Sequence, residues 1–202
     1  MKAPEQIKHC YTLKLEGKVI LYQRNNVSFL EEPNSVSYLR NYNEVLSVIR
    51  YGIENSISDF IFNVGNANQS VSKSTRSCYG FIQKLLYDSM VIGLERNMSP
   101  KVYIENSFSD TKGNTIPLGV LTKIVRDISK EKLGVCLNTD NLFLSGFNFV
   151  NIDSLFGNIG KEIQALIVSP ISPKSSRREK FLCVDFTSFE NSKYYSYMMT
   201  LS

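Results

Sequence analysis

His9, Glu105, Asp140 and Asp185 are the side chains whose types could hold one divalent cation between them, and a labile ion there would suit metal-assisted hydrolysis or isomerisation. Each also has a quieter reading. His9 is the only histidine of the chain, and a lone histidine is usually structural. Glu105 closes a strand-like run and can bond to backbone amides, while Asp140 sits one residue out of ligand register in a polar loop. Lys174, Arg177, Arg178 and Lys180 form the one concentration of basic residues and could contact phosphates, which would position a nucleic acid without reading its sequence.

The balance of charge narrows the classes. A formal charge of +4 over 202 residues, with the basic residues otherwise scattered, permits nucleic-acid contact but lacks the basic face of a dedicated binder. Cys10, Cys78, Cys136 and Cys183 are isolated and mostly in apolar contexts, where free cysteine behaves as a small hydrophobe; this fits a reducing, intracellular compartment, cytoplasmic or nuclear. No apolar run approaches the roughly 20 residues needed to span a bilayer, and the start Met1-Lys2-Ala3-Pro4-Glu5-Gln6 does not read as a signal peptide. With 43% hydrophobic residues the chain can bury one ordinary core, so residues 1–202 are expected to form a single domain.

Strand-like and helix-like runs alternate, the pattern of β-α units around a mainly parallel sheet. Strands are expected at Tyr11–Leu15, Asp59–Val64, Lys101–Glu105, Gly134–Leu137, Gln164–Val168 and Phe181–Phe186. The last five are short and dense in Val, Ile, Leu and Phe, as buried parallel strands are. Helices are expected at Ser35–Glu54, Ser74–Leu94, Pro117–Ser129, Leu155–Glu162 and Asn191–Thr200. Lys18–Tyr22, between Gly17 and Asn25-Asn26, reads as an extra strand or hairpin that interrupts the first unit.

The stretch Leu133-Gly134-Val135-Cys136-Leu137-Asn138-Thr139-Asp140-Asn141-Leu142-Phe143-Leu144-Ser145-Gly146-Phe147-Asn148 carries the sharpest signal. It resembles the strand and loop of the endonuclease IV family of apurinic/apyrimidinic endonucleases, through Gly134, Cys136, Thr139, Phe143, Gly146 and the aromatic Phe147. The family's ligating Asp and His fall on Asn138 and Asn141. Val102-Tyr103-Ile104-Glu105-Asn106-Ser107, followed by Gly113 and the run 116–129, is similar to the family's strand ending in Glu-Asn, whose Glu bridges metal ions.

That resemblance implies a TIM-barrel-like α/β fold with a ring of zinc ligands at the carboxyl ends of the strands. Carried over residue by residue, His9 falls on the first His ligand, Asn63 on the His of a His-Pro-Gly turn, and Glu105 on the bridging carboxylate. Ile167 falls on the next His, Ser176 and Arg178 on ligands of an Asp-Arg-His-Glu segment, and Asp185 on the last Glu. Most ligands are thus replaced, which implies a vestigial metal pocket with no metal and no cofactor. Arg178, at a former ligand position, is expected to pair with Glu105 or Asp185 in place of the ion.

At 202 residues the chain is short for a barrel that typically needs roughly 250, and Lys8 to Leu13 resembles the family's third strand. The expectation is an incomplete barrel lacking the first two β-α units, whose open edges and apolar interior call for a partner protein or self-association. The leading functional expectation is a catalytically inactive relative, a pseudoenzyme of viral type serving as a structural or interaction subunit. The alternatives are a divergent metal-dependent endonuclease and a metal-free DNA-binding module.

Overall fold

The computed structural model describes residues 10–15, 18–23, 27–66, 69–108, 115–129, 131–145 and 162–167. In chain order the elements are β1 (Cys10–Leu15), β2 (Lys18–Gln23), α1 (Val36–Glu54), β3 (Asp59–Asn63), α2 (Val71–Leu94), β4 (Lys101–Glu105), α3 (Leu118–Ile128), β5 (Leu133–Asn138), α4 (Thr139–Leu144) and β6 (Ile163–Ile167). The strands form one sheet in sequence order. The expected strand Phe181–Phe186, the helix Asn191–Thr200 and all but Glu162 of the helix Leu155–Glu162 lie outside the described residues.

β2 to β6 run parallel, each joined to the next through a helix-bearing crossover, whereas β1 pairs antiparallel with β2, Cys10 opposite Gln23 and Leu15 opposite Lys18. This corrects the reading of the segment after His9 as a barrel strand with β2 as an interruption. Only two residues separate β1 from β2, and a parallel crossover needs a dozen or more, so a hairpin is the only connection that length allows. Among the described strands, β2 is the first of the parallel series.

Alternation along each strand splits the core. Leu21, Phe60, Phe62, Val102, Ile104, Leu133 and Val135 face the helices and join one large apolar cluster with them. Ile20, Tyr22, Ile61, Tyr103, Cys136, Ala165 and Ile167 form a second cluster on the other face, with Leu13 of β1 packed against it. That face is the concave interior of the sheet. Its side chains are buried, so the exposed apolar interior expected of an open sheet is not found among the described strands.

The helix layer is fixed mainly by aromatics. Ser35 caps α1 by accepting the amide of Tyr38 at 3.1 Å. Phe81 of α2 stacks on Phe29 with centroids 4.2 Å apart, and Tyr38 and Tyr42 of α1 meet its ring edge-on, both at 5.3 Å. Among the described residues no helix is long and apolar enough to cross a membrane.

Two glycines let elements approach closely. Gly134 pairs with Tyr103, and a Cβ there would lie 3.0 Å from the Tyr103 ring. On α1, a Cβ at Gly52 would stand 2.3 Å from Cε1 of Phe60 and 3.0 Å from Cδ1 of Leu21. In an open helix Gly→Ala stabilises by roughly 0.5–1 kcal/mol. At this contact overpacking outweighs that gain, so Gly52→Ala is expected to destabilise by about 1–3 kcal/mol in urea denaturation. An unchanged or raised midpoint would show that α1 can move off the sheet at no cost.

Candidate functional site

The carboxyl ends of the parallel strands converge on Glu105. It ends β4, points to the concave side two residues after Tyr103, and is 1% exposed. A carboxylate that deep is tolerated only when donors surround it. The Tyr22 hydroxyl donates to its Oε2 at 2.9 Å, while Nδ2 of Asn138 and Nδ2 of Asn141 donate to its Oε1 at 2.6 and 3.2 Å. The register explains the assembly in steps: Tyr22 aligns with Ile61 and Tyr103, two residues before Glu105, and Asn138 lies two residues beyond Cys136, the partner of Glu105, so that alternation puts all three side chains on the concave face and the carboxylate is met from both sides.

Asn138 serves two structures at once. Its Nδ2 holds Glu105, and its Oδ1 accepts the backbone amides of Asp140 at 3.0 Å and Asn141 at 3.4 Å, which makes it the N-cap of α4. That cap turns the chain into a helix directly after β5 and brings Asn141 round onto the carboxylate. The segment was expected as strand and loop, and the capping chemistry of Asn138 is what makes it helical.

Asn106 ties the strand ends together. Its Oδ1 accepts the Asn138 amide at 2.6 Å and its Nδ2 donates to the Asn138 carbonyl at 3.3 Å, so the side chain extends the β4–β5 ladder by one rung. Its own carbonyl accepts Nδ2 of Asn141 at 2.7 Å and Nδ2 of Asn63 at 3.5 Å. Asn63 Oδ1 in turn accepts the hydroxyl of Ser107 and the amide of Gly65, the latter at 2.8 Å. Gly65 takes φ +79° there, and a Cβ would lie 2.5 Å from the carbonyl oxygen of Val27.

Of the residues singled out from sequence, Asn63, Glu105, Asn138 and Asn141 are therefore brought together. Ile167 ends β6 opposite Asn138 but belongs to the apolar interior, and its carbonyl accepts the Thr139 hydroxyl at 3.3 Å. Asp140 is half-buried in the first turn of α4. His9, Lys174, Ser176, Arg177, Arg178, Lys180 and Asp185 lie outside the described residues, as does the expected pairing of Arg178. Tyr22 and Asn106 were not assigned roles. Tyr22 becomes visible once Lys18–Gln23 is taken as a parallel strand, since alternation then puts it on the concave face.

Cys10 stands beside this end, paired with Gln23, and burial followed by the nearby Glu44 carboxylate pushes its thiol up to about 11. At neutral pH the free side chain is therefore a thiol and a weak nucleophile. Zinc takes about four N, O or S ligands, whereas the described cluster offers one carboxylate whose oxygens already accept from a phenol and two amides. No group of three His, Cys, Asp or Glu side chains gathers among the described residues. These residues by themselves do not fit a zinc ion. Behind the amide network lies a cavity of about 250 Å³, bounded by Asn106, Ser107, Ile116, Leu118 and Leu142.

No family model matches the chain, and no curated protein sequence matches it. Solved structures do. A D-tagatose 3-epimerase-like protein shares 16% identity with a TM-score of 0.57, over 75% of this chain and 55% of its own. The apo 3-keto-D-glucoside 4-epimerase of E. coli shares 7% with a TM-score of 0.52, over 73% and 56%. A xylose isomerase domain protein from Planctomyces limnophilus shares 13% with a TM-score of 0.50, over 79% and 52%. The sheet is half of a xylose isomerase-like barrel. The chain spans about half the length of these structures, and their superfamily includes endonuclease IV.

The expectation of an inactive chain is overturned at this point. The three structures described above are an epimerase, an epimerase-like protein and a xylose isomerase domain protein. Asn138 and Asn141 differ from the ligands that the endonuclease IV resemblance implied, and that difference is not by itself a loss of chemistry.

The double role of Asn138 is testable. Asn138→Ala removes the cap and one donor to Glu105 and is expected to cost about 1–2 kcal/mol. Asn138→Asp keeps the cap but sets a second carboxylate against Glu105, so the folded pair retains a proton above the ordinary carboxylate range near about 4. Because the folded state then binds more protons, the Asp variant loses stability as pH rises through and above that range, by at least about 1.4 kcal/mol at neutral pH. Parallel pH–stability curves for Asp and Asn at this position would refute the contact.

Proposed function

We propose that the cluster around Glu105 is the acid–base centre of an enzyme acting on a small, uncharged, polyhydroxylated substrate of the sugar type. The observation that carries this reading is the buried Glu105 carboxylate, oriented through both oxygens by Tyr22, Asn138 and Asn141 at the carboxyl ends of the barrel strands. Barrels of this kind keep their reactive groups at that end. A desolvated carboxylate positioned by Tyr22, Asn138 and Asn141 can take a proton from carbon beside a carbonyl and return it, on the same face, to the neighbouring carbon, with no net redox change. That is the step an aldose–ketose isomerase needs, and an epimerase needs in addition a second acid–base group on the opposite face.

Electrostatics favour an uncharged substrate. The described segments that follow the strands, 27–34, 64–66, 106–108 and 139–145, contain Glu31, Glu32 and Asp140 and no Lys or Arg. Among the described residues of these segments, a polyanion would meet acidic side chains alone. The second reading, a divergent endonuclease IV-type enzyme, is supported by the motif from Gly134 to Phe147 and by Glu105 followed by Asn106.

Incorporation of solvent deuterium beside the carbonyl of ketoses, followed by NMR with and without added divalent ions, tests the first reading. Exchange is expected with at least one ketose, and Glu105→Gln is expected to lower its rate by about 10²–10⁴-fold with unchanged circular dichroism. Nicking of an abasic-site duplex, with no exchange in any sugar, would overturn it in favour of the second. Exchange that survives Glu105→Gln would remove Glu105 from the chemistry.

A further inference from the structure

The outward face of α2 changes character halfway along. Its first part presents Lys73 and Arg76, then Lys84, as a solvated helix should. Its last two turns present Tyr87, Met90, Val91 and Leu94, which are 70%, 45%, 44% and 77% exposed. These four fall at the helical spacing of one contiguous stripe. They lie on the solvent side of a helix whose other side is already packed through Phe81, Ile82, Leu85 and Ile92.

We infer that this stripe joins two copies of the chain through antiparallel α2 helices related by a two-fold axis. The spacing is symmetric about the midpoint between Met90 and Val91, so the antiparallel arrangement sets Tyr87 on Leu94 of the second copy and Met90 on its Val91. An isologous contact requires such self-complementarity. Charge selects the same direction. The antiparallel register brings Lys84 within a turn of Glu95 of the second copy, twice over, whereas a parallel pairing would set each residue against its own like charge. Both side chains are exposed; Lys84 pairs with Asp88 of its own helix at 2.7 Å and lies over the Tyr42 ring, yet keeps 53% of its side chain open, so the contact with Glu95 of the second copy would be shared with Asp88.

The contact is small. Four part-exposed apolar side chains offer on the order of 400 Å² per copy, below the roughly 800 Å² per partner of a standard stable interface, so the association is weak and concentration-dependent. Self-association thus rests on the outer helix layer, and it stands independently of the chemistry at Glu105.

Sedimentation velocity over a wide concentration series tests it. A monomer that shifts to a dimer with rising concentration is expected. Leu94→Glu, at an exposed position, is expected to raise the dissociation constant by about 100-fold or more with an unchanged thermal melt. Glu95→Lys is expected to weaken the dimer by about tenfold, and combining it with Lys84→Glu to restore it to within about threefold. A monomer at every concentration, or a dimer indifferent to Leu94→Glu, would overturn the proposal. Failure of the charge reversal to rescue association, with the fold intact, would overturn the antiparallel register.

Discussion

The carboxyl end of this half-barrel is organised by the need to bury the Glu105 carboxylate. Removing such a charge from water costs several kcal/mol unless donors replace the lost hydration. Tyr22 from β2, Asn138 from the end of β5 and Asn141 from α4 supply those donors, so three separate parts of the chain are drawn to one point. The same residues then do a second task each. Tyr22 fills the concave apolar layer, Asn138 caps α4, and Asn141 binds the backbone of Asn106.

That coupling explains why the amides stand where they do. A carboxylate accepts but cannot donate, so its neighbours must present N–H or O–H groups, and an asparagine can do this while its oxygen caps a helix. Aspartate at position 138 would keep the cap and repel Glu105. Leucine would keep neither. The residue type is set by two hydrogen-bonding demands of opposite sense, which is a sufficient reason for asparagine without any history of lost metal.

Parallel register below this level makes the arrangement rigid. Ile61 and Tyr103 stack in order on the concave face, and Tyr103 reaches down to Asp59 with a hydrogen bond of 3.1 Å, with room for its ring left by Gly134. The helix-facing side is secured separately by the Phe29, Phe81, Tyr38 and Tyr42 aromatics. The two faces of one sheet thus divide the labour. One anchors the helices, and the other supports a polar rim of fixed geometry.

Much of this was written in the sequence by itself. The alternation of short apolar runs with amphipathic ones determined the α/β class and placed β3, β4, β5, α1 and α3 to within two residues at each end, because period and capping are local properties. The family resemblance also singled out Glu105, Asn138 and Asn141, which the structure brings together. The direction of β1, the concave position of Tyr22 and the bridging by Asn106 were decided only by the tertiary structure, since each depends on which strand lies alongside and in what register. What Asn138 and Asn141 bind was likewise decided there. A residue type shows what a side chain can donate or accept, and only its neighbours in space fix what it meets.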